Sequence, residues 1–298
     1  MRVLITGVGG FVGLRLARHL LECGERVSGT YIGVAPDLPA VDLYPADLLD
    51  RQALERAVAA ADPDVIVNLA GLSHIGDSWT EKMPDYFWVN VVGTENVLAA
   101  AAGRKTVVVS SADVYGPVPR DEQPISEDRR IAPHTPYALT KAAAERLAQF
   151  SPAVIVRSFN LVGPGQNRNF SLASWASRLA EIRKGESEPV LEVGDLSTWR
   201  DFVHVDDGAA AYRLLAAKGR PGTIYNLASG RAVQMRDALA RLLAISGVKA
   251  EVKEGVYPAR PYDIPYLSGD AGRLRALGWE PRRSLDDALS DLWKEMTT

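Results

Sequence analysis

Tyr137 and Lys141 have the side chains and the spacing for proton transfer. They lie four residues apart in TPYALTK (135–141), where a helical stretch begins. Residues four apart share one face of a helix, so both side chains would point the same way. A neighbouring ammonium stabilises a phenolate, and we expect Lys141 to lower the pKa of Tyr137 from about 10 toward neutrality. The pair is a candidate acid/base that needs a hydroxyl partner on the substrate oxygen.

The segment SSADVYGPV (110–118) offers such a hydroxyl. It holds two serines, an aspartate and a tyrosine directly after the apolar run TVVV, which is typical of a buried parallel strand. Ligands of parallel sheets bind at the carboxyl ends of the strands, so Ser111 is the natural partner. Asp113 is either an acid that drives an elimination or a polar neighbour of a hydride-transfer site, and the segment alone leaves both interpretations open.

A glycine pattern near the start of the chain indicates a site for a dinucleotide. TGVGGFVG (6–13) follows the first apolar strand and opens a helix. Glycines permit a tight turn and a close approach of the backbone to a pyrophosphate, while the helix N-terminus offers free N–H groups to an anion. The alternative interpretation of these glycines is an ordinary tight turn that binds no dinucleotide. The candidate cofactor contacts here are Gly7, Gly10, Phe11, Val12 and Gly13.

The end of the second strand, RVSGTYIG, bears on the choice of cofactor. An acidic residue there suits NAD and a basic one suits NADP, but Tyr31 occupies the position and no Arg or Lys follows through residue 40. The cofactor is therefore NADP or NAD, with a slight preference for NADPH. Asp47 either contacts the adenine or caps the helix that follows it.

The order of strands and helices predicts the fold that must position these residues. Through residue 160, short apolar runs alternate with helical stretches near 11–23, 50–60, 84–102 and 136–150. Nearly continuous apolar strands between helices are typical of a parallel sheet that is covered on both faces. We predict an α/β fold with a Rossmann-like, doubly wound parallel sheet.

After Asn160 the composition changes, which predicts a second, smaller α/β domain for the substrate. GPGQNRN is rich in Gly, Pro and Asn, and a helix near 171–184 and the strand PVLEVG follow it. We expect WRDFVHVDD and TIYNLA to return to the first sheet. The predicted domains are 1–160 plus 199–228 for the dinucleotide and 161–198 plus 229–298 for the substrate.

Composition and charge exclude several classes of partner. The 298 residues include 34 basic and 37 acidic ones, a formal charge of -3, and no basic tract that would indicate nucleic acid or an anionic membrane. Cys23 is the single cysteine, and no His and acidic residues fall at metal-ligand spacing, so no metal is predicted. Without a secretory leader pattern or an apolar run of about 18 residues, we expect a cytoplasmic protein.

Taken together, the motifs resemble the extended short-chain dehydrogenase/reductase family, whose members act on nucleotide sugars. The resemblance covers essentially the whole chain. The matching segments are TGVGGFVG, NLAG, VNVVGT, SSADVYG, YALTK, SFNLVGPG and RDFVHVDD. It implies that Ser111 rather than Ser110 is catalytic, that Tyr137 is the acid, and that Tyr115 lines the pocket.

The resemblance also implies contacts with cofactor and substrate. Further cofactor contacts would come from Asp47, Leu48, Leu69, Ala70, Gly71 and Asn90. Substrate contacts would come from Ser73, His74, Asn160, Asn169, Arg200, Arg260 and Asp263. Guanidinium groups bind phosphate oxygens in pairs of charged hydrogen bonds, although surface salt bridging is the alternative for any single arginine. A histidine bonded to backbone is the alternative for His74.

Within the family, the pattern is most similar to the reductases of GDP-linked 4-keto-6-deoxy sugars. Asp195 departs from it by standing where Asn is usual. Related dehydratases carry a glutamate two places after the catalytic serine or threonine, where this chain has the shorter Asp113, preceded by Ala112. The resemblance thus implies reduction of a C4 ketone rather than 4,6-dehydration or 4-epimerisation. It also implies a homodimer that pairs through the helices near 84–102 and 136–150.

Overall fold

The computed structural model describes residues 1–257 and 263–298. Its strands are β1 (Arg2–Thr6), β2 (Arg26–Tyr31), β3 (Asp42–Pro45), β4 (Val65–Asn68), β5 (Lys105–Ser111), β6 (Ala153–Ser158), β7 (Asn160–Val162), β8 (Val190–Val193), β9 (Trp199–His204), β10 (Ile224–Leu227), β11 (Ala232–Gln234), β12 (Glu251–Glu254) and β13 (Tyr266–Leu267). Its α-helices are α1 (Phe11–Glu22), α2 (Arg51–Ala61), α3 (Met83–Phe87), α4 (Gly93–Ala100), α5 (Pro136–Ala148), α6 (Ser171–Lys184), α7 (Val205–Lys218), α8 (Met235–Ser246), α9 (Gly272–Ala276) and α10 (Leu285–Thr297).

The larger sheet has seven parallel strands in the order β3-β2-β1-β4-β5-β6-β10. Successive residues of a strand face opposite sides, so Ile5 packs in the core with α1 and α7, while Leu4 packs in the core with α2 and α4. The order of strands reverses between β1 and β4. The prediction of a Rossmann-like, doubly wound sheet is confirmed, and the reversal marks the edge where such sheets bind ligands.

The remaining strands form two small sheets beside a second core. β9 pairs with β7, β11 and β13, and β8 pairs with β12. The prediction that WRDFVHVDD returns to the first sheet is therefore wrong for β9, although α7 after it packs on α1 and β10 does join the large sheet. The sequence of a strand does not show which sheet it joins, because that depends on the strands with which it pairs. The proposed division into domains stays a prediction.

The helix expected near 84–102 is interrupted. α3 and α4 are joined by a π-helix at Trp88–Val92, which contains Asn90, and α4 ends at Ala100. A π-turn inside a helix adds a residue to one turn and is frequent at functional sites. The interruption turns the Asn90 amide toward the loop that follows β4, where it braces the backbone of Leu72.

Two features are absent from the described part of the chain. Within residues 1–257 and 263–298, no helix has the length and the apolar character to cross a membrane. In the same residues, no group of three or more His, Cys, Asp or Glu side chains is arranged to hold a metal ion.

Candidate active site

Ser111 and Tyr137 meet at the carboxyl end of β5. Ser111 is the last residue of that strand, and Tyr137 lies in the first turn of α5, which packs on it. Each residue is only 6 % exposed, and the Ser111 hydroxyl lies near enough to the Tyr137 phenol to act on its pKa. Ser111 Oγ donates to Asp113 Oδ2 at 2.8 Å. The three polar groups lie together at the sheet edge where ligands are expected.

Local sequence explains why α5 begins where it does. Thr135 caps the helix by accepting a hydrogen bond from the Ala138 N–H at 3.0 Å, and Pro136 stands in the first turn, where its missing N–H costs no hydrogen bond. The cap fixes the start of the helix one residue before Tyr137. The phenol is thereby held beside the end of β5.

Lys141 lies one turn beyond Tyr137, and its amine reaches back under β5. Nζ donates to the Val109 carbonyl at 2.9 Å. A Cβ on Gly71 would lie 3.6 Å from this nitrogen, so glycine keeps the space beside it open. Burial lowers the pKa of Lys141 to about 8, while the Glu145 carboxylate acts in the opposite direction. The amine thus changes its charge close to neutral pH, as groups in active sites commonly do.

The pKa of Tyr137 differs from the expectation stated above. Burial raises the pKa of the phenol well above its usual range, the Asp113 carboxylate raises it further, and the bond to Ser111 acts in the opposite direction. The expectation that Lys141 lowers this pKa is wrong in this structure, because weakly polar surroundings disfavour the phenolate. Tyr137 is consequently held in its protonated form, the form that can donate.

Asp113 is a carboxyl group in unusual surroundings. Burial raises its pKa, while the Ser111 hydroxyl and the charges of Arg200 and His134 act in the opposite direction. The preceding residue, Ala112, is buried and has no group that could exchange a proton. A carboxyl with a raised pKa retains a proton closer to neutrality, so Asp113 has the physical properties of a candidate acid.

The interpretation of Tyr115 as a pocket-lining residue is wrong. Its ring is 1 % exposed and belongs to the core of the large sheet. Its hydroxyl donates to Asn226 Oδ1 at 2.7 Å, and the Arg157 guanidinium lies 4.7 Å from its ring centroid. The short 3₁₀ helix after Ser111 turns this side chain inward, which the sequence pattern did not reveal.

The turn between β1 and α1 fits a pyrophosphate. Gly7 has a φ of +69°, and a Cβ on Gly13 would lie 2.3 Å from the Gly7 carbonyl oxygen. Gly10 caps α1 without any side-chain hydrogen bond, and the first turn, which begins with Phe11 and Val12, has no acidic residue. The free N–H groups and the positive end of the helix dipole are therefore available to an anion.

Replacing Gly13 by alanine should weaken NADPH binding by about tenfold or more, the equivalent of about 1.4 kcal/mol. The added methyl collides with the Gly7 carbonyl and must push α1 away from the turn, which we also expect to destabilise the fold by about 1–3 kcal/mol. Fluorescence titration with NADPH and thermal unfolding measure the two effects. Gly194→Ala is the matched control, because nothing lies within 4 Å of its added Cβ. Equal affinity in both variants would contradict the assignment of this turn.

Three residues were predicted to contact the adenosine end of the cofactor, and the structure shows where each of them lies. Tyr31 ends β2 and is half-buried, and Leu48 is buried against Gly93. The helix cap of α2 is Asp50, so the alternative reading of Asp47 as that cap is wrong. Asp47 instead accepts a hydrogen bond from its own loop and remains exposed. Its contact with adenine stays a prediction.

The loop after β4 lies next to the glycine turn. A Cβ on Gly7 would lie 3.0 Å from Ala70, which follows Leu69 in this loop, so the loops that leave β1 and β4 touch where the strand order reverses. Asn90 braces the same loop: its amide accepts from the Leu72 N–H at 2.9 Å and donates to Thr140 on α5 at 3.0 Å. These contacts bring the predicted cofactor residues to one edge of the sheet.

On the side predicted for the substrate, Arg200 and Asp263 are bonded to each other. The Arg200 guanidinium donates to Asp263 Oδ1 at 2.6 Å and to the Ile264 carbonyl at 2.6 Å. Asn160 Nδ2 donates to the Asp201 carbonyl at 3.0 Å, at the junction of β7 and β9. Arg260 lies outside the described residues. The roles of all four in substrate binding stay predictions.

His74 reaches toward the small sheets from the loop after β4. Its Nδ1 lies 2.9 Å from Asp77 Oδ1 and also 3.3 Å from the Asp77 N–H, and its ring meets that of Phe170 edge-on at 5.9 Å. Ser73 and Asn169 are exposed on either side. The geometry supports both the substrate reading of His74 and the alternative of a histidine bonded to backbone.

Two neighbours of Tyr137 were missed by sequence reasoning. Tyr86 packs edge-on against its ring at a centroid distance of 6.3 Å and donates to the His74 carbonyl at 2.5 Å. Burial raises the pKa of Tyr86 to about 12. Ser78 accepts a hydrogen bond from the Tyr137 N–H at 3.3 Å. No motif marks either residue, because both contacts join segments that are distant along the chain.

Comparisons with known proteins extend over nearly the whole chain. A model of the NAD dependent epimerase/dehydratase family matches residues 3–228. The chain is 32 % identical to the GDP-6-deoxy-D-mannose reductase of Pseudomonas aeruginosa, covering 97 % of this chain and 96 % of that protein. It is 29 % identical to a dTDP-glucose 4,6-dehydratase of Streptomyces antibioticus, with 97 % and 90 % covered. The solved structure of RMD from Pseudomonas aeruginosa complexed with NADPH superposes with a TM-score of 0.86 at 29 % identity, covering 100 % of this chain and 99 % of that one.

Proposed function

Since the chain belongs to the NAD-dependent epimerase/dehydratase family, we propose that it is a 4-ketoreductase of nucleotide-linked 4-keto-6-deoxy sugars. Its substrate would be GDP-4-dehydro-6-deoxy-D-mannose and its product GDP-D-rhamnose, with NADPH preferred to NADH. The observation that carries the proposal is the grouping of Ser111 and Tyr137, with Lys141 one turn away, at the sheet edge that also holds the glycine turn. The names of the reductase relative and of its NADPH complex support the sugar and the cofactor.

Each side chain has a role that its surroundings suit. The bound nicotinamide cofactor would supply the hydride that reduces C4. Ser111 would donate a hydrogen bond to the sugar oxygen as it gains negative charge. Tyr137, held protonated by burial, would give its proton to the same oxygen, and Lys141 would hold the nicotinamide ribose. Arg200 and Arg260 would bind the diphosphate, with Asn160 and Asp263 beside them.

One observation favours a second candidate, a nucleotide-sugar 4,6-dehydratase. An elimination needs an additional acid to expel the C6 hydroxyl, and burial raises the pKa of Asp113 beside Ser111. In that reaction, as in a 4-epimerase, the cofactor is regenerated in every turnover, so NADPH is not consumed. Consumption of the reduced cofactor therefore separates the candidates.

The test is to supply purified protein with 4-keto-6-deoxy sugars linked to GDP, dTDP and UDP, each with NADPH and NADH in parallel. We expect oxidation of one NADPH for each GDP-sugar reduced, measured by loss of NADPH absorbance and by chromatography of the product. Parallel samples contain GDP-mannose or a UDP-sugar in place of the keto sugars. Redox-neutral conversion of either would instead establish a dehydratase or an epimerase and reject the reductase.

We also propose that the protein is a homodimer through α5 and the segment from α3 to α4. These helices pack side by side, and their outer face carries Phe87, Trp88, Val92 and Leu139, which are 41, 57, 36 and 47 % exposed. Exposed apolar side chains that are grouped in this way commonly mark a protein interface. The family resemblance points to the same helices.

Replacing Trp88 by aspartate should therefore convert the dimer to a monomer, because a carboxylate would have to be buried in the interface. Light scattering coupled to gel filtration measures the mass directly. Val34→Asp is the control, since Val34 is 92 % exposed in the turn between β2 and β3, away from these helices. A monomeric unmodified protein, or a dimeric Trp88→Asp variant, would contradict the proposal.

A further inference from the structure

A buried ion pair lies directly behind the candidate reacting groups. Arg157 on β6 and Glu145 on α5 are 4 % and 2 % exposed, and their closest charged atoms are 2.8 Å apart. Burying two charges costs more than a surface pair does, and it is tolerated only where the geometry and additional hydrogen bonds are good. Ser110 Oγ supplies such a bond by donating to Glu145 Oε1 at 2.5 Å. The proposed catalytic and binding roles use none of these three residues.

The pair completes a regular set of contacts between β5 and α5. Tyr137, Lys141 and Glu145 follow one another at intervals of four residues, so they share one face of the helix. Each lies beside the carboxyl end of β5: Lys141 Nζ donates to the Val109 carbonyl, Glu145 accepts from the Ser110 hydroxyl, and the Tyr137 phenol lies near Ser111. The last three residues of β5 thereby face side chains from three successive turns of α5.

Arg157 is itself fixed from the opposite side. Its guanidinium donates to the Glu127 carbonyl at 3.4 Å and lies over the Tyr115 ring. Tyr115 continues the network through its hydroxyl to Asn226 on β10. Because Arg157 is anchored to β6 and to these groups, the Glu145 carboxylate cannot shift without leaving a buried charge unpaired. The ion pair thus fixes the position of α5 relative to three strands.

We propose that Ser110, Glu145 and Arg157 are positioning residues that hold Tyr137 and Lys141 in register with the end of β5. The proposal rests on the proposed function only in taking Tyr137 and Lys141 as the reacting pair. A displacement of reacting groups by about 1 Å can reduce a rate by about 10²-fold. Contacts that hold α5 in a fixed position therefore have a direct effect on turnover. Glu145 also places a negative charge one turn from the Lys141 ammonium.

Ser110→Ala tests the positioning of α5 with the smallest change in structure. It removes one hydroxyl and leaves the ion pair intact, and we expect kcat to fall about tenfold with little change in the KM for the sugar. Ser110→Thr, which keeps a hydroxyl, should recover most of the loss. Ser177→Ala is the control, because Ser177 is also buried and also contacts a glutamate, Glu181, but in the second core. Unchanged kcat in Ser110→Ala would overturn the proposed role of this hydroxyl.

Glu145→Gln tests the charge by a readout that needs no sugar, the affinity for NADPH as a function of pH. Glu145 on the same helix is the charged group that acts on Lys141, while Asp113 follows β5 and Arg157 lies on β6, the strand beside it. Without the Glu145 carboxylate, the pH at which affinity is lost should fall by about one unit. An unmoved midpoint in a folded variant would overturn the role of Glu145. If Glu145→Gln does not fold, Ser110→Ala is the deciding variant. If the unmodified protein does not reduce the sugar, the pH midpoint of NADPH binding is measured in Ser110→Ala in place of kcat. Failure of the unmodified protein to reduce the sugar would reject the proposed function, not this inference.

Discussion

Tyr137→Phe is expected to lower kcat for ketone reduction by about 10²–10⁴-fold, the range contributed by a positioned acid. The hydroxyl is the only part of the side chain that is removed, so packing of the ring against Tyr86 is retained. Burial holds the phenol protonated, and without it the sugar oxygen would have to take its proton from water. NADPH affinity should change little, because the ring remains in place.

Single-turnover kinetics with saturating NADPH measure this loss without interference from product release. Tyr225→Phe is the matched control: Tyr225 is 3 % exposed on β10, and its hydroxyl accepts a hydrogen bond from the Arg220 N–H at 3.2 Å, away from the site. The control should keep kcat within about twofold. If Tyr137→Phe were folded and as active as the unmodified protein, the acid would be another group.

Lys141→Met should lower kcat/KM by about 10²-fold and remove a pH dependence that the unmodified protein shows. Burial lowers the pKa of Lys141 to about 8, so the amine is charged below that pH and neutral above it. If the ammonium is the form that holds the cofactor, kcat/KM falls as the pH rises through about 8. The alkaline limb should be absent in Lys141→Met, whose residual activity no longer depends on this proton.

Lys105→Met is the control for the effect of losing a buried lysine. Burial also lowers the pKa of Lys105, and its Nζ donates to the Ala216 carbonyl at 2.8 Å, but it lies at the opposite end of β5. Its pH profile should match that of the unmodified protein. An alkaline limb that persists unchanged in Lys141→Met would assign the titration near pH 8 to a different group.

The large sheet and the reacting pair were predictable because their signals are local. Apolar runs such as TVVV and the cap of α5 act within a few residues, and the interval from Tyr137 to Lys141 places both on one helix face in any fold. The glycine turn was found in the same way, since Gly7 and Gly13 are needed by the turn itself.

Contacts between distant segments were not predictable in this way. Tyr115 follows Ser111 by four residues, yet its hydroxyl bonds to Asn226, 111 positions later. Arg200 is paired with Asp263, 63 positions later, and its contact with phosphate stays a prediction. β9 was expected in the large sheet but pairs with β7, β11 and β13. Each contact depends on which distant segment packs beside the residue in the folded chain, and sequence periodicity does not show this.

By itself, the sequence determined the kind of fold, the edge of the sheet that carries the site, and the identities of Ser111, Tyr137 and Lys141 as candidates, because strand, turn and helix signals are short-range. Only the tertiary structure decided their chemical state. Burial, not Lys141, sets the pKa of Tyr137, and Ser110, Glu145 and Arg157 become a buried cluster only when β5, α5 and β6 pack together. Desolvation and charge pairing depend on everything within a few ångströms in space, so they appear only in the folded chain.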